Sequence, residues 1–176
     1  MFKFIKLIFF IAVLLAVSYF GLLHLFPAEY SDIVEKYSEK YDISEDLVYA
    51  IIKTESNFSK DAVSHAGANG LMQLTDETAL WIAEMLNIEN FSIESVSDPE
   101  TNINLGVWYI SYLIKEMKNT DLAILSYNAG INKVKSWIND GIIDKNGISI
   151  EKIPYRETKI YLTKVKLYRK VYELLY

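Results

Sequence analysis

An apolar run of 20 residues without a formal charge, from Leu7 to Phe26, restricts the fold of this chain more than any other feature of its sequence. A helix rises about 1.5 Å per residue, so such a run spans the roughly 30 Å hydrocarbon core of a bilayer. As a helix the run would be apolar on every side, whereas a core helix has one apolar stripe. We therefore expect residues 1–26 to form an amino-terminal membrane anchor.

The charges that flank this run predict its orientation. Lys3 and Lys6 precede it, so by the positive-inside rule the amino terminus stays in the cytoplasm and residues 27–176 lie outside. The alternative is a cleaved signal peptide. The apolar regions of signal peptides are shorter, about 7–15 residues, and the one small-residue site here, residues 16–18, lies inside the run. The sequence therefore favours an uncleaved single-pass anchor at the cell membrane, with an extracytoplasmic domain.

The composition of the chain limits what that domain can be. The part after residue 26 has the size of one compact domain, and the chain is 51% hydrophobic with few Gly and Pro, which allows a buried core. The net charge of -5 provides no basic surface for nucleic acid. Cysteine is absent, and the two histidines, His24 and His65, are too far apart in the sequence to suggest a metal pair. We expect no nucleic-acid partner, no bound metal and no cofactor.

Helix signals recur along residues 27–176, so the sequence predicts a mainly α fold. The clearest signal is Asp98 followed by Pro99, an N-cap and a first-turn proline that open a long apolar stripe. Ser44 is predicted to cap another helix, and residues 56–74 to form a loop that contains Gly67 and Gly70. The predicted helices cover 31–40, 45–55, 75–85, 99–118, 121–128, 132–139 and 157–176, and residues 147–154 are predicted to be extended.

One carboxyl group shares a helix face with core residues. Leu47, Ile51 and Glu55 follow at i, i+4 and i+8. Burial and the nearby carboxyl end of the helix would both raise the pKa of Glu55 and keep it protonated near neutrality, as a general acid requires. Periodicity alone favours the alternative, in which Glu55 is solvated or paired with Lys53 or Lys60.

Four short motifs favour a catalytic role for Glu55 over a solvated or ion-paired one. They are residues 55–58 (ESNF), 67–75 (GANGLMQLT), 126–130 (SYNAG) and 154–161 (PYRETKIY). Together with Asp98-Pro99 they resemble the catalytic domain of the soluble lytic transglycosylase family, whose fold is goose-type-lysozyme-like. The resemblance covers roughly residues 40–172. It implies a mainly α, lysozyme-like catalytic domain over residues 27–176 that faces the cell wall and acts on peptidoglycan glycan strands.

The first two motifs carry four of the family's site residues. The resemblance implies that Glu55 is the sole catalytic acid and base. It implies that Ser56 forms a hydrogen bond with substrate or with the carboxylate, and that Met72 and Gln73 line the glycan groove. For Met72, a place in the core is an equally good interpretation.

The last two motifs carry the remaining site residues. The resemblance implies that Tyr127 lies close to Glu55, that Asn128 holds the adjacent turn, that Glu157 supports the site and that Tyr161 packs nearby. For Tyr127, packing alone is the weaker alternative. The three tryptophans are interpreted as mainly structural; they are Trp81, Trp108 and Trp137.

The implied chemistry is non-hydrolytic. Glu55 would protonate the β-1,4 glycosidic oxygen between N-acetylmuramic acid and N-acetylglucosamine and then take the proton of the 6-hydroxyl, which gives a 1,6-anhydromuramoyl end. The alternatives are a hydrolytic muramidase that uses an acid such as Asp61 or Asp76, and a non-catalytic glycan-binding scaffold. Membrane-proximal cutting within a multiprotein cell-wall machine is a further hypothesis, with no partner identified.

Overall fold

The structure is a computed structural model that describes residues 2–145 and 150–176. Within these residues the chain is helical apart from turns and isolated bridges, which confirms the prediction of a mainly α fold. The helices are α1 (Phe2–Leu25), α2 (Ser31–Tyr41), α3 (Glu45–Glu55), α4 (Asp76–Met85), α5 (Pro99–Met117), α6 (Thr120–Ala129), α7 (Ile131–Asn139) and α8 (Arg156–Leu175). Two 3₁₀ turns cover Ile93–Ser97 and Ile150–Lys152.

Helix α1 has no buried residue. Within residues 2–145 and 150–176 it is the one helix whose length and composition would allow it to cross a membrane. This agrees with the apolar run in the sequence, since a helix with an apolar surface on every side has no stripe to bury in its own domain.

Helix α5 forms the centre of the domain. Its start is the predicted one, because the carboxylate of Asp98 accepts a hydrogen bond of 2.9 Å from the backbone N–H of Thr101 and Pro99 occupies the first turn. Ile103, Val107 and Ile110 are fully buried. Helix α5 packs against α2, α4 and α6, so it supports the helices on both sides of the site.

Helices α3 and α8 pack antiparallel. At one end Arg169 Nε donates to Asp46 Oδ2 at 2.5 Å, and at the other end Tyr161 of α8 reaches Glu55 at the end of α3. Ser44 occupies the N-cap position, but its hydroxyl makes no capping bond and instead accepts one of 3.3 Å from Arg169. The predicted N-cap position is therefore confirmed, but its side-chain hydrogen bond is absent, since α8 supplies a competing donor.

The remaining differences from the sequence predictions are local. Residues 56–74 form the predicted loop, which is closed by isolated bridges that join Asn69 to Val63 and to Leu74. The extended prediction for 147–154 is wrong for Ile150–Lys152, which form a 3₁₀ turn, and residues 147–149 lie outside the described part of the chain. Trp137 is buried, as a structural tryptophan would be.

Candidate active site

Glu55 is the last residue of α3 and is partly buried between that helix and α8. Its Oε1 accepts a hydrogen bond of 2.7 Å from the hydroxyl of Tyr161. Burial raises the pKa of Glu55 to about 7, and the Tyr161 hydrogen bond opposes that rise because it favours the carboxylate. The carboxyl group is therefore about half protonated near neutral pH.

The ion-paired alternative for Glu55 does not describe this site. Lys53 Nζ donates to Oδ1 of Asn57 at 2.5 Å and lies 5.4 Å from the centroid of the Phe26 ring. Residues two apart on a helix point to nearly opposite sides, so Lys53 faces away from Glu55. Lys60 is exposed.

A groove runs past Glu55. A cavity of about 580 Å³ holds the carboxyl group, and a neighbouring cavity of about 830 Å³ shares four of its lining residues, so the two form one continuous groove. The shared residues are Thr78, Tyr109, Ala129 and Gly130. The first cavity is also lined by Ser64, His65, Ala66, Ala68, Gln73, Leu74, Thr75, Tyr127, Asn128 and Glu157.

Tyr127 lines the groove and is hydrogen-bonded to the loop of residues 56–74. Its hydroxyl donates a hydrogen bond of 2.9 Å to the backbone carbonyl of Met72, and its ring packs against Tyr109 at 5.2 Å between centroids. Burial and the nearby charge of Glu55 raise the pKa of Tyr127 well above its ordinary value, so it remains a neutral phenol. Its oxygen can still accept a hydrogen bond from a ligand in the groove.

A buried amide on α5 braces the loop that forms one wall. Asn102 Nδ2 donates to the carbonyls of Asn69 at 3.0 Å and Val96 at 2.9 Å, and Asn102 Oδ1 accepts from the N–H of Met72 at 2.8 Å. Gly70 has φ +77°, and a Cβ there would lie 2.3 Å from the Asn102 amide nitrogen. The loop is therefore held by close backbone approach and by a satisfied buried amide.

Gln73 lines the cavity that holds Glu55. Its backbone has φ 48°, and its Nε2 donates to the carbonyls of Ala62 and Gly70, both at 2.9 Å. Both amide hydrogens are thus used to fix the loop. The side-chain oxygen keeps its accepting capacity for a ligand hydroxyl.

Two contacts implied by the resemblance need correction, and for Met72 the structure supports the core interpretation that the sequence left equally open. The side chain of Met72 is fully buried against Gly106 and cannot touch a ligand, so Met72 supports the site through its backbone groups. The hydroxyl of Ser56 lies 2.8 Å from the carbonyl of Leu71 and 3.2 Å from that of Ile52. Its proton is directed at the backbone and away from the Glu55 carboxylate, because the end of α3 and the loop present carbonyls there.

The other predicted residues lie around the groove. Asn128 and Glu157 line the cavity that holds Glu55, and Glu157 is exposed in the first turn of α8. Asp61 and Asp76, the acids considered for a hydrolase, are exposed, and neither is among the described residues that line this groove.

The sequence interpretation missed the contribution of α5 to the groove. Asn102, Leu105, Tyr109 and Tyr112 recur at i, i+3, i+7 and i+10, a second face beside the core stripe. Tyr109 lines both cavities and Tyr112 lines the larger one. This second helical period was the available signal.

Two of the tryptophans interpreted as mainly structural also belong to an aromatic cluster beside the groove. Trp108 is partly exposed on α5 and stacks on Tyr112 at 5.5 Å between centroids. Trp81 packs against the same tyrosine at 5.1 Å and lines the larger cavity. An aromatic cluster therefore stands at one end of the groove.

Comparison with known proteins identifies the family to which this fold belongs. Residues 32–144 match the sequence model of the family described as "Transglycosylase SLT domain". The chain belongs to that family.

Similar proteins bear related names. The soluble lytic murein transglycosylase of Salmonella typhimurium is 34% identical over 151 residues, which cover 84% of this chain and 23% of that protein. The membrane-bound lytic murein transglycosylase C of Pectobacterium atrosepticum is 33% identical over 172 residues, covering 82% of this chain and 46% of that protein. This chain therefore spans about a quarter to a half of the length of these relatives.

Solved structures agree with the sequence comparison. The 70 kDa soluble lytic transglycosylase from Escherichia coli superposes with a TM-score of 0.79 at 32% identity, over 87% of this chain and 25% of that one. A 70 kDa soluble lytic transglycosylase in complex with bulgecin A gives a TM-score of 0.79 at 33% identity, over 87% of this chain and 25% of that one. The prediction of a lysozyme-like domain of this family is confirmed.

Proposed function

We propose that this protein is a peptidoglycan lytic transglycosylase that cleaves the β-1,4 bond between N-acetylmuramic acid and N-acetylglucosamine without hydrolysis. One observation carries the proposal: a partly buried carboxyl group with a pKa of about 7, Glu55, lies in a groove of this family's fold and accepts a hydrogen bond from Tyr161. An acid that is half protonated near neutrality can give a proton and take one back within one turnover.

The proposed reaction uses Glu55 twice. The protonated carboxyl group donates its proton to the glycosidic oxygen, and the bond from that oxygen to the muramoyl C1 breaks. The N-acetyl group of the same sugar stabilises the cationic C1. The Glu55 carboxylate then removes the proton of the muramoyl 6-hydroxyl, whose oxygen bonds to C1. This restores the acid and leaves a 1,6-anhydromuramoyl end.

The surroundings of Glu55 support a reaction without a carboxylate nucleophile. Among the described residues that line its cavity, Glu157 is the other carboxylate, and it is exposed at the rim. When Glu55 is anionic, the Tyr161 hydroxyl stabilises it. Tyr127, Asn128 and Gln73 present polar groups that could hold the sugar hydroxyl and amide groups.

Analysis of the products tests this function. Purified peptidoglycan digested with the full chain should give anhydromuramoyl ends by mass spectrometry, and Glu55→Gln should remove them. Glu84→Gln, at an exposed position on α4, is the charge-matched control and should behave as wild type. Reducing muramic ends would identify a hydrolase instead, and wall binding without any cleavage would identify a glycan-binding scaffold.

We also propose that residues 1–26 anchor the enzyme in the cell membrane and that residues 27–176 are the catalytic domain on the outer, wall-facing side. The exposure and apolar composition of α1 support this, as do the names of the membrane-bound relatives. The measurement is fractionation of cells that produce the full chain, with the mass of the mature protein. Recovery of full-length protein in the membrane fraction is expected, and a soluble product that lacks α1 would identify a cleaved signal peptide.

A further inference from the structure

The connection between α1 and the catalytic domain contains no free linker. The N–H of Phe26 donates to the carbonyl of Leu22 at 2.8 Å, so Phe26 continues the last turn of α1. The ring of the same residue packs against Tyr168 and Tyr172 of α8 at 5.3 and 5.7 Å between centroids. One residue therefore ends the apolar helix and contacts the domain.

Hydrogen bonds fix the backbone of the following residues. The hydroxyl of Tyr176 donates to the carbonyl of Phe26, and that of Tyr172 donates to the carbonyl of Pro27, both at 3.0 Å. The carbonyl of Tyr30 then accepts from the backbone N–H groups of α2. Each residue from Phe26 to Tyr30 except Glu29 is partly buried. We call the segment Phe26 to Tyr30 the joint.

The joint lies close to the proposed catalytic carboxyl group. Tyr161, which binds Glu55, and Tyr168, which packs on Phe26, are seven residues apart on the same side of α8, or about 10 Å along its axis. On α3, Lys53 faces Phe26 while Glu55 faces the groove. The joint and the groove therefore sit on opposite sides of one helix, whose diameter with side chains is about 10 Å.

We propose that the joint holds the groove rigidly at the outer surface of the bilayer, so that the substrate class this enzyme meets is glycan bonded at one end to a membrane lipid. The inference rests on the membrane anchoring and the glycan cleavage proposed above. Tyr30, Tyr168 and Tyr176 at the joint are at least partly exposed, and tyrosine is enriched at membrane–water interfaces because its apolar ring carries a polar tip.

A fixed groove gives a product pattern that a tethered domain does not. If the groove stays at one height, cleavage of a lipid-bonded strand leaves a short remnant on the membrane with a narrow length distribution. A domain on a flexible tether samples many distances from the bilayer surface, so its remnants should vary widely in length. A Gly/Ser stretch of 20 residues has an end-to-end distance of about 25 Å, which is comparable with the whole domain.

The test compares three full chains in nanodiscs that contain a glycan strand bonded to a polyprenyl lipid. They are the wild type, a variant with 20 Gly/Ser residues inserted between Leu25 and Phe26, and a control with the same insertion after Asn90, in an exposed turn. The first insertion keeps Phe26 on the domain and separates only the helix. Wild type and control should leave short remnants of narrow distribution, whereas the joint insertion should at least double the mean remnant length. Equal distributions in all three chains would overturn the proposal.

A second measurement does not depend on activity. The chain has no cysteine, so a single one placed at exposed Glu89 can be labelled uniquely. Energy transfer to labelled lipid headgroups should give one narrow distance for the wild type and a broad one for the joint insertion. A wild-type distribution as broad as that of the insertion variant would refute the rigid joint even if cleavage occurs. Failure of all chains to cleave any glycan, with a narrow distance retained, would refute the glycan-cleaving function and with it the proposed substrate.

Discussion

The hydroxyl of Tyr161 donates a 2.7 Å hydrogen bond to Oε1 of Glu55 across the contact between α8 and α3. Burial raises the pKa of this carboxyl group, and the tyrosine opposes the rise. The two influences act on different steps of the proposed reaction. Burial supplies the proton for the first step, and the Tyr161 hydrogen bond stabilises the carboxylate that the first step leaves behind.

The pH dependence of cleavage should follow Glu55. The first step needs the protonated acid, so kcat/KM should fall about tenfold per pH unit above a pKa of about 7. Replacing Tyr161 with Phe removes a bond that favours the carboxylate, so the alkaline limb should move upwards by about one pH unit. The measurement is kcat/KM on uncrosslinked glycan from pH 5 to pH 9.

Tyr168→Phe is the matched control for this profile, because Tyr168 lies two turns along α8 and packs on Phe26. It should leave the alkaline limb where the wild type has it. A Tyr161→Phe profile that coincides with the wild type, or a limb that moves to lower pH, would contradict the assignment of Glu55 as the acid.

Glu55 should destabilise the fold at alkaline pH. Its pKa is raised in the folded state, so the group contributes fully below its ordinary value of 4.5, and that contribution is lost as the pH rises through about 7. Because Glu55 is partly exposed, we discount the full linkage energy to about 1–2 kcal/mol. Glu55→Gln should therefore be more stable than the wild type at pH 8 by that amount, and the difference should shrink towards pH 4.5.

Urea unfolding at both pH values measures this difference. Glu84→Gln, an exposed control, should show no gain at either pH. A Glu55→Gln variant less stable than the wild type at pH 8 would mean that the carboxylate is stabilising in the folded state, which is the opposite of the burial argument.

The sequence was sufficient for features that local interactions determine. Asp98 and Pro99 specify the start of α5 through contacts within one turn, so the structure repeats that prediction. The contact between Tyr161 and Glu55 joins residues 106 positions apart, and only the motif resemblance suggested that they are near. Resemblance indicates which residues gather but not their orientation, which is why it leaves open whether Met72 lines the groove or fills the core. The structure buries its side chain.

The hydrogen bonds of Asn102 are a second feature that the sequence could not predict. Its position on α5 was evident, but its hydrogen bonds reach Met72 and Asn69, 30 and 33 residues away. A polar residue beside an apolar stripe has no local signal that distinguishes a solvated amide from a buried brace. Only the approach of the loop at Gly70 makes this amide structural.

Replacing Asn102 with Ala should loosen the loop. The substitution leaves the buried N–H of Met72 and the buried carbonyl of Val96 without a partner, whereas the carbonyl of Asn69 keeps its hydrogen bond from the N–H of Leu74. The loss should cost about 2–4 kcal/mol. Because the loop carries Gln73, KM for glycan should rise as well. Denaturant unfolding and steady-state kinetics measure the two effects.

Asn104→Ala is the control for this brace. Asn104 is partly buried on the same helix, and its Oδ1 accepts a hydrogen bond of 2.7 Å from Tyr41 on the side of α2, away from the loop. It should cost about 1 kcal/mol and leave KM unchanged. Equal changes in KM for the two variants would show that the amide of Asn102 does not hold the loop.

The close contact between Gly106 and Met72 leaves no room for an added methyl group at position 106. An Ala at a helical glycine usually stabilises by up to about 1 kcal/mol, but here the new Cβ would lie 2.3 Å from Met72 Sδ and 2.8 Å from its Cβ. The Met72 side chain can turn, but its Cβ moves only with the loop backbone. Gly106→Ala should therefore destabilise the fold by about 1–3 kcal/mol and lower activity, since Met72 O holds Tyr127.

Met72→Ala should also destabilise, and the double variant should be more stable than the sum of the two losses predicts, by at least about 1 kcal/mol in a double-mutant cycle. Met72→Ala removes the Sδ contact but keeps the Cβ, so the double variant should recover only part of the loss. A Gly106→Ala variant as stable as the wild type would show that the loop yields to the added methyl group and that Gly106 does not set its position.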